Sequence, residues 1–426
     1  MEGMAAYRAM EPRAPAEPEA ARALRVLEYA LIVILAAVYV ASFGINSPVN
    51  GLGEIHELFD QDSRYILQSL ADNVPYQWNA QNHLFYHWLT GEAFGLWRHG
   101  FGGGLDSAFL FLKLFTAATG LWFLVTLRIF LREVGLGVVE RLVFLLLAGL
   151  SMAIWFHFSA FETSGLTMPL CLLFFVAFLR RVRRQDESLA NHLLLVGSLL
   201  FAFWTRSDQW RLPVALALTL LLPQMRGRGL FLDLVLFGAL LPVGYCLLAR
   251  SYFHLPWAES ARKLLERHDR ADLAPLLMTR GNLTARDFTR VWRANAFYSF
   301  IMPMGEPLSP FSSKLSGLLH SPLSVLALLG VGAVLFTTSV RSLRRLARRD
   351  AFHLLLWASW IMGWLFYTWF NPHEPFLWIL QFGVLQIAAL ADTWPASDRK
   401  WPIVALGAVA VLVAAHNTVF FWLRYR

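Results

Sequence analysis

Long apolar runs, broken at intervals by short arginine-rich turns, set the pattern of this chain. A helix needs about 20 apolar residues to cross the ~30 Å of a bilayer's hydrocarbon, with about 17 as a lower bound. By that measure the pattern predicts eleven spans, centred on 26–43, 108–127, 142–158, 163–179, 191–205, 211–224, 230–249, 322–340, 352–370, 375–391 and 402–422. The fifth and sixth are short, so neighbouring helices rather than lipid are expected to set their ends. The expected fold class is an all-α polytopic membrane protein without internal repeats. The run from Val26 to Phe43 is too long for the apolar core of a signal peptide and reads as a retained first span.

The polar segments between these spans divide the chain. Residues 1–25 are rich in Ala, Pro, Glu and Arg and read as a disordered cytoplasmic tail. Residues 26–250 form an N-terminal transmembrane module that includes a long loop, 44–107. Residues 251–321 form a second long loop with helices, and 322–426 hold the C-terminal spans. Within the first loop Leu84, Trp88, Phe94 and Trp97 stand among polar residues, the pattern of an amphipathic helix lying along the interface.

Arginine gives the orientation. Arg8, Arg13, Arg22 and Arg25 lie in the tail, then Arg128, Arg132 and Arg141, then Arg180, Arg181, Arg183 and Arg184, then Arg226 and Arg228, then Arg341, Arg344, Arg345, Arg348 and Arg349. With eleven spans all five clusters fall on one face, the cytoplasmic one by the positive-inside rule. Both long loops then lie outside, as do Arg424 and Arg426.

Composition agrees. Hydrophobic residues make up 57% of the 426 positions and charged residues 15%, against about 25% charged in soluble proteins. The net charge of +8 is dispersed between apolar runs, which argues for membrane topology and against a nucleic-acid partner. Cys171 and Cys246 both sit in apolar runs and read as core residues.

Ionisable groups at span ends are functional candidates in a membrane protein, and here nearly all lie on the outer side. Glu54, His56, Glu57, Asp60 and Asp62 follow the first span; such carboxylates can serve as a general base or form a solvated acidic loop. His83 and His87 share a helix face, with Glu92 beyond; with Asp60 or Asp62 they could hold a metal, or simply make a polar face. Glu162 opens the fourth span, where an acid complements the helix dipole or meets a substrate. Arg206, Asp208 and Arg211 occupy one outer turn, against the positive-inside trend; arginine suits phosphate oxygens, while an Arg206–Asp208 pair could be a plain cap. His373 and Glu374 lie in a tight Asn371-Pro372-His373-Glu374-Pro375 turn. There is no Walker A loop and no dinucleotide fingerprint.

In this order the motifs resemble a family. Asp60-Gln61-Asp62-Ser63-Arg64-Tyr65 in the first outer loop is followed by Asn82-His83-Leu84-Phe85-Tyr86-His87-Trp88-Leu89, by Phe158-Ser159-Ala160-Phe161-Glu162, and by Trp204-Thr205-Arg206-Ser207-Asp208. Over about the first 225 residues the chain resembles the GT-C superfamily of membrane glycosyltransferases, in the branch of protein O-mannosyltransferases and the lipid A aminoarabinose transferase. The likeness does not extend to the large soluble C-terminal domain of that family.

The resemblance implies a sugar donor on a polyprenyl phosphate, with Asp62 or Asp60 as the base in the first loop. Asp62 is preferred as nearer the Arg64-Tyr65 pair. Arg206, Arg211 and His373 are the expected contacts to donor phosphate; His83, Glu162, Asp208, Glu374 and His56 are expected at the substrates. No cofactor is required by these motifs, and a divalent metal, Mg or Mn, on Asp60, Asp62, His83 and His87 stays open. The expected partners are the polyprenyl-phosphate sugar, a glycan, lipid or protein acceptor, and membrane lipid. The expected location is a bacterial inner membrane with the active site facing the periplasm. A transporter or flippase for an envelope precursor, or a non-catalytic envelope assembly partner, is the alternative.

Overall fold

The computed structural model describes residues 19–46, 61–75, 83–159, 163–225, 227, 229–265, 284–301, 321–370, 379–394 and 401–424. In chain order the helices are α1 (Glu19–Asn46), α2 (Gln61–Asp72), α3 (Leu84–Phe101), α4 (Leu105–Glu133), α5 (Val138–Gly149), α6 (Met152–His157), α7 (Ser164–Arg184), α8 (Leu189–Thr205), α9 (Arg211–Thr219), α10 (Leu230–Phe253), α11 (Trp257–Leu265), α12 (Ala285–Arg293), α13 (Pro322–Ala347), α14 (Ala351–Phe370), α15 (Ile379–Thr393) and α16 (Trp401–Arg424). No strand occurs among the described residues. The protein is an all-α integral membrane protein: α1, α4, α7, α10, α13, α14 and α16 are long and apolar enough to cross a bilayer. The apolar helices α8 and α15 are shorter. Cys171 and Cys246 are free thiols.

α7 is the centre. Its apolar window is 83% buried, against 22% for α10 and α13, which present most of their surface outward. A helix that is hydrophobic all round belongs inside a bundle, and α7 packs against α4 and α8 on its flanks. α1 has the opposite character. Ile32, Leu35, Tyr39 and Phe43 form one buried stripe at helical spacing, while Val33 and Ile34 face outward. The stripe meets α5 closely enough that a Cβ on Gly149 would lie 2.6 Å from Leu35 Cδ1, so any larger residue there would force the Leu35 side chain to move.

Two expected spans differ from single helices. The run 142–158 is divided between α5 and α6, parted at Leu150 and Ser151, where Ser151 is extended. The run 211–224 contains the nine-residue α9, which rises only about 14 Å. Broken backbone at membrane depth needs partners within the protein, and here they come from far along the chain. Met152 N–H donates to Phe300 O and Ala153 N–H to Ser299 O, each at 3.1 Å. Asn417 Nδ2 donates to Leu150 O and to Phe300 O, both at 2.8 Å.

Those carbonyls belong to a stretch read from sequence as outer loop. α12 continues into a π-helical turn, Ala294–Tyr298, and on to Phe300 and Ile301, which are buried. Ser299 Oγ donates to Ile379 O at 3.1 Å, and Gln386 Nε2 donates to Asn295 O at 2.9 Å. The segment packs against α15.

The described arginines of these clusters gather at one end of the bundle, and seven of them form ion pairs. All four arginines at the end of α7 reach carboxylates on other helices. Arg180 and Arg184 bind Glu133 of α4 at 3.2 and 2.8 Å. Arg181 binds Asp233 of α10 at 3.1 Å, and Arg183 pairs with Asp392 of α15. Asp392 also accepts from Arg345 at 2.8 Å and from His353 at 3.0 Å. Glu28 of α1 takes Arg128 at 3.0 Å and Arg141 at 2.6 Å. The side chains of Glu28, Asp233 and Asp392 are fully buried.

Removing one member of a buried pair leaves the other uncompensated and costs about 3–5 kcal/mol. Asp392→Asn is therefore expected to lower the unfolding midpoint of the detergent-solubilised protein strongly. Glu187→Gln, which removes a half-exposed partner of Arg181 at 3.6 Å, is expected to leave it near the wild-type value.

Candidate functional site

At the opposite end of the bundle, polar side chains from five helices and one turn converge. His83, just before α3, places Nδ1 3.1 Å from Thr163 Oγ1 and 3.3 Å from Thr205 O. It thereby ties the segment before α3 to the start of α7 and the end of α8. One residue on from each of those partners, Arg206 donates to Ser164 Oγ. Arg206 is extended, the turn Ser207–Trp210 is a 3-10 helix, and α9 begins at Arg211. This geometry sets Arg206 and Arg211 on either side of Asp208.

Asp208 is the hub. Its Oδ2 accepts from Arg206 Nη2 at 2.9 Å, from the Tyr367 hydroxyl at 2.7 Å and from Gln381 Nε2 at 3.0 Å. Its Oδ1 accepts from Gln209 Nε2 at 2.9 Å. Burial alone would push this carboxyl up; the Arg206 and Arg211 charges, with the hydrogen bonds from Gln381 and Tyr367, outweigh it and hold the group well below the usual carboxylate range. Asp208 therefore stays ionised at neutral pH. Arg211 donates through Nη2 to Gln381 Oε1 and lies over the rings of Tyr367 and Phe382, 5.8 and 5.5 Å from their centroids. A small cavity beside the hub is walled by Cys171, Gln209, Arg211 and Gln381 among apolar side chains.

The Arg206–Asp208 pair foreseen as a plain cap exists, but inside a larger network. Two guanidinium groups face one carboxylate, so among the described residues the cluster carries one positive charge in excess. Both arginines are almost wholly buried. Buried charge is stable only when paired, so the arrangement is suited to an anion.

His83, expected in one polar cluster with His87, and Arg206, Asp208 and Arg211, expected in another, lie at the same end of the bundle, joined through Thr163, Ser164 and Thr205. His87 lies one turn along α3, its ring centroid 6.3 Å from that of His83. Burial, and then the neighbouring His83, push His87 well below the usual histidine range. Asp60, His56, Glu162, His373 and Glu374 lie outside the described residues, and Asp62 is described only as backbone in the first turn of α2. Thr163, Ser164, Gln209, Tyr367 and Gln381 were not foreseen. Gln381 carried a usable signal, a lone amide in an apolar span.

The described donors at this site do not fit a divalent cation, because Asp208 already accepts four hydrogen bonds and stands between guanidinium groups. Asp350, His353 and Asp392 are close enough to hold a metal. They lie at the arginine-rich end, where Arg183 and Arg345 already occupy Asp392.

No sequence-family model matches the chain, and no curated protein sequence matches it. Among solved structures it is similar to ArnT from Cupriavidus metallidurans in the apo state, at 18% identity over 90% of this chain and 62% of that one, with a TM-score of 0.50. It is also similar to the archaeal oligosaccharyltransferase AglB from Archaeoglobus fulgidus in complex with an inhibitory peptide and a dolichol-phosphate, at 14% identity over 93% of this chain and 55% of that one, with a TM-score of 0.53. A third, the Archaeoglobus fulgidus oligosaccharyltransferase complex with Zn and sulfate, matches at 12% identity over 91% of this chain and 53% of that one, with a TM-score of 0.51. At these identities the likeness is one of fold, shared with ArnT and with the oligosaccharyltransferase. The chain spans 62% of ArnT and 55% of AglB.

If Asp208 is the counter-ion of this cluster, Asp208→Asn strands two buried guanidinium groups and is expected to destabilise by about 3–5 kcal/mol. The double variant Asp208→Asn, Arg206→Met is expected to lose clearly less than the sum of its single variants. Unfolding midpoints of the four proteins in detergent measure the coupling.

Proposed function

We propose that this protein is a membrane glycosyltransferase that moves a sugar from a polyprenyl-phosphate donor to a glycan, lipid or protein acceptor on the extracytoplasmic face. The observation that carries the reading is the buried Arg211 guanidinium, which among the described residues has no carboxylate at ion-pair distance, at the end of the bundle away from the arginine clusters. Such a site suits a phosphate at the membrane surface. A lipid-borne donor also fits the absence of nucleotide-binding motifs.

In the reaction, Asp62 or Asp60 takes the proton of the acceptor hydroxyl or amine. The freed lone pair attacks the anomeric carbon from the face opposite the phosphate. The anomeric carbon–oxygen bond breaks, and its electron pair leaves on polyprenyl phosphate, so configuration inverts. Arg206 and Arg211, with His373, stabilise the charge growing on that leaving group. A preorganised contact of this kind is worth about 100-fold or more in kcat. His83, Asp208, His56, Glu162 and Glu374 bound the substrates. A Mg or Mn ion, if used, would rest on Asp60, Asp62, His83 and His87, and no step above runs through it.

The arginine bias favours a bacterial inner membrane, with the N-terminus cytoplasmic and the site periplasmic. Broken helices also occur in transporters, where freed carbonyls bind ions. Here the broken groups of Leu150, Met152 and Ala153 are taken up by Asn417, Phe300 and Ser299, which favours a structural role for the break.

The test is transfer of labelled sugar from a panel of polyprenyl-phosphate sugars by purified protein, with crude envelope as acceptor. Wild-type turnover is expected, abolished by Asp62→Asn or by Asp60→Asn. Turnover that survives both substitutions together would remove the loop acids as base. An absence of turnover with every donor, alongside substrate uptake by proteoliposomes, would replace the transferase reading with transport.

A further inference from the structure

The charges around Asp208 are not shared evenly. Arg206 makes a direct ion pair with it at 2.9 Å. Among the described residues Arg211 has no carboxylate at ion-pair distance. Its Nη2 donates to Gln381 Oε1 and, at 3.5 Å, to Gln209 Oε1, and both acceptors are neutral amides.

The Gln381 amide has one consistent orientation. Its Nε2 faces the Asp208 carboxylate at 3.0 Å, and its Oε1 faces Arg211 and the Tyr367 hydroxyl, the latter at 2.9 Å. Flipping it would set an NH2 group against a guanidinium and a carbonyl against a carboxylate. Gln381 is therefore wedged between the negative and the second positive charge. It touches both and neutralises neither. Arg211 is only 3% exposed, and its Nε and Nη1 have no hydrogen-bond partner among the described residues. It also walls the small cavity beside the hub. A buried guanidinium held by amides, with Nε and Nη1 unpartnered among the described residues, retains an unmet demand for an acceptor that an oxyanion can supply.

We propose that Gln381 is a positioning residue, a neutral spacer that fixes Arg211 yet keeps its charge uncompensated, so that Arg211 rather than Arg206 makes the charged contact to the donor's phosphate. Arg206 instead serves as the internal counter-ion of Asp208. This inference rests on the polyprenyl-phosphate reading of the site.

The experiment measures the Kd of undecaprenyl phosphate for the full-length protein in detergent or nanodiscs. Gln381→Glu is nearly isosteric and sets a carboxylate against Arg211. It is expected to weaken binding about 10- to 100-fold, the size of one lost charge-assisted contact. Gln381→Met, which removes the amide without adding charge, is expected to weaken it less. The Gln381→Glu defect is expected to shrink, relative to wild type at the same pH, as pH falls and the introduced carboxyl takes up its proton. A merely structural defect has no reason to do so. Arg211→Gln is expected to lose more affinity than Arg206→Gln, and this comparison decides the matter if Gln381→Glu does not fold.

Wild-type affinity in Gln381→Glu, equal losses in the Glu and Met variants, or a larger loss at Arg206 than at Arg211 would each overturn the inference. If wild type itself does not bind undecaprenyl phosphate, the donor reading fails as well. Wild-type binding with an unaffected Gln381→Glu variant overturns the spacer alone.

Discussion

The attachment of the central helix to its neighbours through buried ion pairs is the constraint on which the bundle depends. α7 is apolar over most of its length, so without polar contacts side-chain packing alone would limit its freedom to slide or rotate among its neighbours. Its four terminal arginines remove that freedom by reaching Glu133, Asp233 and Asp392 on three separate helices. Each acid lies at the same end as its partner, so the pairs fix the vertical register of α4, α10 and α15 relative to α7. That register in turn determines which residues meet at the other end of the bundle, where Ser164 opens α7 beside Arg206.

The two ends therefore treat arginine in opposite ways. At the clustered end Asp392 holds Arg183 and Arg345 with His353 beside them, and the acids are saturated by basic partners. At the other end, among the described residues, one carboxylate stands between two guanidinium groups, and Arg211 is held by neutral amides. The first arrangement resists change. The second keeps an electrostatic demand unmet inside a rigid frame, which is the condition for binding an anion without reorganising the protein around it.

Hydropathy made most of the architecture legible, because lipid imposes one length scale on every crossing helix. It could not show the division at Leu150 and Ser151, since apolar residues flank both sides and a window average runs straight across them. Nor could it show that Ala285–Ile301 enters the bundle, since its arginines mimic a surface loop. At the site, His83, Arg206, Asp208 and Arg211 were legible as polar residues at outer span ends. Tyr367 and Gln381 were not grouped with them, because they stand 159 and 173 residues from Asp208 in sequence and one of them looks like an ordinary interfacial aromatic. Apolar spans can be read from a single chain; side-chain partners across the bundle cannot.

The divided helix also imposes a schedule on the molecule's birth. The carbonyl of Leu150 receives its hydrogen bond from Asn417, 267 residues further on. Translation at about 5–20 residues per second puts tens of seconds between the two. During that interval the carbonyl of Leu150 is without the side chain that finally meets it, although Ser299 and Phe300 already arrive for Ala153 and Met152. Early spans must then be held loosely, by water or by the insertion machinery, until α16 arrives. In such a protein the first helices made are among the last to settle.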